Sequence, residues 1–140
     1  MSFVMTVEER EAFLADVHVG VLAVEREGRA PLAVPIWYDY RDGEILLWME
    51  RDTVKDRAIR KARRFSFAVQ TEVPPYKYVT VEGSVAATDQ APTRAQATRI
   101  AGRYLPSNEV DGYVDAALGD SSLLIRMSPE RWLSNDHSKI

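Results

Sequence analysis

Arg51, Asp52, Thr53, Val54, Lys55, Asp56 and Arg57 follow one another where an apolar strand pattern gives way to a helical one. The first turn of a helix carries unpaired N–H groups and a partial positive charge. A Thr hydroxyl, a Lys and an Arg placed there make a seat for a phosphate. The same residues also suit an ordinary capped helix with a solvated basic face. The second candidate is Ala33, Val34, Pro35, Ile36, Trp37 and Tyr38. Pro35 removes an N–H from an extended segment, which marks an edge, a bulge, or a place where a flat ring meets the backbone. An edge strand supplying aromatic core residues is the alternative. Lys77 and Tyr78 are the third candidate, a cation beside an aromatic at the start of a strand. The pair suits an anionic or aromatic ligand, or a proton donor, and Tyr78 equally suits a core or interface position.

Other chemistries lack their residues. There is no cysteine, which removes disulfides, thiol nucleophiles and thiolate metal sites together. His18 and His137 are the only histidines and lie far apart in the sequence, so no metal site is expected and both read as structural. No GxSxG, GxGxxG or P-loop sequence occurs. Glu8, Glu9 and Asp56 fit capping and helix pairing better than a glycosidase carboxylate pair.

The elements that must position these residues follow from patterning. Thr6 and Glu9 form a capping box ahead of a helix that runs to about residue 14. Alternating and β-branched residues predict strands over 18–25, 31–40 and 44–49, with Gly28 turning the first pair and Asp42-Gly43 the second. A basic helix is predicted over 53–65, with Thr53 as its N-cap and Val54, Ala58, Ala62 and Phe65 as its apolar positions. Strands over 65–71 and 76–88 meet at a Pro74-Pro75 corner, and Gly83 reads as a bulge or a close backbone approach. Helices over 93–104 and 109–118 precede a last strand over 121–127 and a polar tail containing Trp132. A mainly β chain of about six antiparallel strands with peripheral helices suggests a small barrel, since closure removes exposed edges.

The whole-chain numbers bound this reading. A length of 140 residues suits one domain, here 1–140, and 46% hydrophobic with 28% charged residues suits a packed fold. A formal net charge of −3 argues against a protein that coats nucleic acid, although the basic run from Arg57 to Arg64 keeps a nucleic-acid-binding barrel open. No stretch approaches a membrane span and the start lacks the pattern of a secretory signal, so a cytoplasmic location is expected.

In their order and spacing, Pro31 to Tyr38, Thr53-Val54-Lys55 and Tyr76 to Gly83 resemble the flavin split-barrel superfamily. That superfamily contains pyridoxamine-phosphate oxidases and deazaflavin (F420)-dependent reductases. The resemblance covers roughly residues 18–132 and implies a split barrel that binds its cofactor at a homodimer interface. It places the cofactor phosphate on Thr53 and Lys55 with Arg51 nearby. The ring falls on Val34, Pro35, Ile36 and Trp37, and further contacts on Lys77 and Tyr78. Where FMN-using members carry an Arg this chain has Leu32, and Tyr78 replaces a Gln. These departures turn the expectation from a true pyridoxamine-phosphate oxidase toward an F420-dependent oxidoreductase acting on an unsaturated or conjugated small molecule. An FMN enzyme and a non-catalytic flavin or F420 carrier are the alternatives.

Overall fold

In the computed structural model, which describes residues 2–139, Ile36 and Tyr38 lie two positions apart in sequence and on opposite edges of one sheet. The elements in chain order are α1 (Val7–Ala15), β1 (Gly20–Arg26), β2 (Arg29–Ile36), β3 (Tyr38–Arg41), β4 (Glu44–Glu50), α2 (Val54–Ala62), β5 (Arg64–Gln70), β6 (Lys77–Ala87), α3 (Arg94–Gly102), α4 (Val110–Ala117) and β7 (Ser122–Asp136). The strands form a 7-stranded antiparallel sheet in the order β2-β1-β5-β6-β7-β4-β3. Trp37 alone links the two edge strands, so the sheet must curl until its edges meet. The result is a split barrel, held at its seam by covalent continuity and not by a hydrogen-bonded ladder.

This corrects the predicted strand over 31–40, which breaks at Trp37 and raises the strand number from about six to seven. A second correction concerns the polar tail. Residues 128–136 continue β7 and pair with β6 as far as Lys77↔Asp136. Their outward side chains meet solvent, which is why they read as polar. The basic helix stops at Ala62, because Arg63 adopts a left-handed cap with φ 59°, and Phe65 belongs to β5.

Leu22, Val24, Ile45, Leu47, Phe67, Val69, Val79, Val81, Leu123 and Ile125 alternate inward and fill the barrel. Phe13 and Leu14 of α1 and Ile59 of α2 join this core, with α1 packed on β3 and β6 and α2 on β1, β4 and β5. The predicted capping box on α1 is present, as is the Asp42-Gly43 turn, with φ values of 53° and 77°. Gly83 sits at a register shift between β6 and β7, where a Cβ would collide with the Ser128 carbonyl. α3 and α4 lie outside the barrel: Ile100 packs on Leu46 and Leu124, while Ala97, Ala101, Val110 and Val114 pack against Trp48.

Candidate functional site

An open groove of about 350 Å3 runs between the end of β2, the end of β4, the start of α2 and the α3–α4 pair. Pro35, Ile36, Trp37, Thr53 and Lys55 line it together with Trp48, Glu50 and Tyr113. The ring-facing segment and the phosphate seat proposed from sequence therefore share one wall system, although they lie on separate elements. A larger depression of about 510 Å3 on the outside of β1, β5 and β6 has walls whose charges neutralise one another, Arg64 with Glu25 and Arg131 with Glu82. It offers no comparable convergence of groups.

The start of α2 is built by its cap. Thr53 Oγ1 accepts the Asp56 N–H at 3.3 Å and donates to the Glu50 carbonyl at 2.8 Å, so its hydroxyl fixes the strand-to-helix turn. The buried Asp56 carboxylate accepts the Asp52 N–H and pairs with Arg60 at 2.9 Å, which locks the loop from behind. The Val54 and Lys55 N–H groups have no acceptor among the described residues, as expected for a first helical turn. Of the two, Lys55 lines the groove, whereas Val54 lines a separate depression with Glu25, Arg57 and Lys61.

At the opposite end the groove is aromatic. Trp37 stacks on Tyr104 with ring centroids 4.9 Å apart and planes 10° from parallel. Tyr113 leans over Trp37 at 5.5 Å and meets the Trp48 ring edge-on at 5.8 Å. The Tyr104 hydroxyl accepts the Tyr38 N–H and donates to the His18 carbonyl, tying α3 to the seam of the barrel. Behind it the Arg103 guanidinium lies over the Tyr38 ring and donates to the Ala15 and Asp16 carbonyls at the end of α1. Burial pushes the Tyr38 phenol above its ordinary range, against the opposing pull of Arg103, so it stays a neutral donor to the Leu14 carbonyl. Trp48, Glu50, Tyr104 and Tyr113 were not singled out from sequence. The available signal was alternation on β4, which puts residues 46, 48 and 50 on the face that α3 and α4 cover.

The remaining candidates lie elsewhere. The Arg51 guanidinium donates to the Asp89 carbonyl at 3.0 Å, beside the groove and not in its wall. Val34 is half-buried and packs against the barrel core. Lys77 and Tyr78 start β6 opposite Asp136 and Asn135, away from the groove of the same chain. Of the basic run, Arg57 bonds the Asp52 carbonyl, Arg60 pairs with Asp56 and Asp89, Lys61 with Glu27, and Arg64 with Glu25. Among the described residues no cluster of three metal-ligating side chains occurs, and no helix is long and apolar enough to cross a membrane.

One surface feature adjoins the groove. Pro35, Val21, Ala68, Thr80 and Leu133 stand side by side in register across β2, β1, β5, β6 and β7. They share the outer face, where Val21 is 38% and Leu133 61% exposed. Tyr78, also exposed, lies two residues from Thr80 on the same face. The row forms an apolar belt that begins at the groove wall and crosses the barrel.

The solved structures that resemble this chain share its architecture. The conserved hypothetical protein Rv2991 from Mycobacterium tuberculosis superposes with a TM-score of 0.83 at 24% identity, covering 99% of this chain and 89% of that one. A FAD-binding protein from Mesorhizobium loti gives 0.65 at 20% identity, covering 93% of each chain. An F420 reductase gives 0.63 at 19% identity, covering 88% of this chain and 94% of that one. No curated protein matches the sequence. The sequence pattern of the family described as pyridoxamine 5'-phosphate oxidase matches residues 6–132, so nearly the whole split barrel, groove included, falls within it. By that match and the shared architecture, this chain belongs to the pyridoxamine 5'-phosphate oxidase family.

Proposed function

We propose that the protein is an oxidoreductase that binds coenzyme F420 in the groove at Lys55, at the interface of a homodimer. One observation carries this reading: Pro35, Ile36 and Trp37 line the same groove as Thr53 and Lys55. The residues present fit the cofactor. The free Lys55 N–H and the Lys55 ammonium at the Thr53 cap would hold its phosphate, and the Pro35 to Trp37 segment would support its ring. Bound in its reduced form, the deazaflavin would supply hydride to an unsaturated or conjugated small molecule and be left oxidised. The chain's own part is to orient that cofactor and to keep water from the ring through the aromatic end of the groove.

Preference for F420 over FMN rests on Leu32. It pairs with Val24 on the inward face of β2, so the position offers no cation to an FMN phosphate. The dimer is supported by the apolar belt, which begins at Pro35 on the groove wall. Association of two copies through their belts would cover each open groove and bring Lys77 and Tyr78 of the second copy toward it. In that arrangement Tyr78 or Lys77 would be the proton donor.

The test is equilibrium titration of the purified protein with F420 and with FMN, followed by oxidation of reduced F420 in the presence of quinones and enones. Tighter binding of F420 with turnover supports the reading. Tighter binding of FMN moves it to a flavin enzyme, binding without turnover makes the protein a carrier, and failure to bind either at micromolar concentration refutes it.

A further inference from the structure

Among the described residues Glu50 supplies the one carboxylate, and Lys55 the one ammonium or guanidinium, in the wall of the groove. The wall therefore carries no net charge. Strand alternation turns Glu50 to the same side of β4 as Trp48, and β4 pairs Glu50 with Ser122 of β7. One oxygen of its half-buried carboxylate accepts the Ser121 hydroxyl, and the other accepts the Ser122 hydroxyl at 3.3 Å. These neutral donors fix the carboxylate without cancelling its charge. Among the described residues neither Glu50 nor Lys55 enters an ion pair. A groove shaped to hold a dianion would not present an unpaired carboxylate beside its single cation.

We propose that Glu50 is a specificity-determining residue that admits a phosphodiester to the groove and disfavours a phosphate monoester. A monoester such as that of FMN carries two negative charges above its second ionisation at about pH 6, whereas a diester such as that of F420 carries one. The hydration lost on entering the groove rises roughly as the square of the charge, while attraction to one ammonium rises only in proportion to it. A lone Lys therefore suits a monoanion, and a carboxylate in the same wall repels each further charge. Glu50 thus sorts the two cofactors by charge, independently of the missing cation at Leu32. This role rests on the reading above only in taking Lys55 as the phosphate seat. A Glu serving only to pin the end of β4 to β7 would have no effect on which ester binds.

The experiment compares FMN with its phosphate monomethyl ester, which share a ring and a ribityl chain and differ by one charge at about pH 8. Dissociation constants are measured by fluorescence titration on the full chain for the native protein, Glu50→Gln and Glu50→Asp, with F420 titrated alongside. The native protein is expected to bind the methyl ester about three- to tenfold more tightly than FMN. Glu50→Gln keeps an acceptor for the two serines and removes the charge, so it should tighten FMN about threefold more than the methyl ester. Glu50→Asp keeps the charge and should retain the native preference. F420 should follow the methyl ester and not FMN across the three proteins. Damage to the fold would weaken both esters together, so only a change in their ratio supports the proposal. Tighter binding of FMN by the native protein, the same ratio in Glu50→Gln as in the native protein, or no binding of either ester overturns it. Failure of F420 to bind the native protein sinks only the functional reading, since the ratio of the two esters is measured without F420.

Discussion

The Trp37 ring lies flat on the Tyr104 ring, 4.9 Å between centroids, and the Tyr104 hydroxyl is hydrogen bonded on both sides of it, to the Tyr38 N–H and the His18 carbonyl. One side chain from the end of α3 thus fixes both the seam of the barrel and the plane of a groove-lining indole. Tyr104→Phe keeps the stack and strands two backbone groups, and should lower unfolding free energy by about 1–3 kcal/mol in urea denaturation. Tyr104→Leu removes the stack as well and should also reduce cofactor affinity. Unchanged stability of the Phe variant would show that the hydroxyl does not hold the seam.

Gly83 and Gly112 should respond oppositely to alanine. At Gly83 the added methyl meets the Ser128 carbonyl within the bulge, predicting a loss of about 1–3 kcal/mol. At Gly112, inside α4, nothing lies within 4 Å of the new atom. The helix should gain about 0.5–1 kcal/mol there. Thermal melts of the two variants measure both signs.

Stability should fall on mild acidification through His18. Burial against Phe13, whose ring centroid is 4.4 Å away, lowers its pKa; Asp16 opposes this and Arg103 adds to it. The unfolded chain takes up a proton near the ordinary value of about 6.5 while the folded chain resists it, so stability is full above that pH and declines below it. Denaturation midpoints above and below that pH should differ in the native protein, and less in His18→Gln. Equal pH dependence in both would remove His18 from the explanation.

If two copies associate through the belt of Pro35, Val21, Ala68, Thr80 and Leu133, an aspartate at its exposed end should separate them. Light scattering should give twice the chain mass for the native protein and the single-chain mass for Leu133→Asp. The variant should remain folded, because Leu133 is 61% exposed. A native protein that is monomeric at all concentrations would contradict this.

Most of the barrel was legible because inward and outward residues alternate in β1, β4, β5 and β6, and because the cap at Thr6 and the turn at Asp42-Gly43 are local chemistry. The break at Trp37 was not, since Ile36 and Tyr38 continue one apolar run and only closure of the whole sheet sends them to opposite edges. The end of β7 was hidden by solvated outward side chains. At the groove, Pro35, Ile36, Trp37, Thr53 and Lys55 could be named from pattern and resemblance. Trp48 and Tyr113 could not, because strand alternation does not say that α3 and α4 will pack on the outer face of β4. Lys77 and Tyr78 lie outside the groove of their own chain, so any role there depends on a second copy.

The central claim is that the α2 start holds the phosphate of a deazaflavin through Lys55. Its most direct test is the dissociation constant of F420 for the native protein and for Lys55→Ala, measured side by side by fluorescence titration. Loss of the ammonium should weaken binding by about tenfold or more, and raising the salt concentration should narrow the difference. Equal affinity of the two proteins would contradict the account.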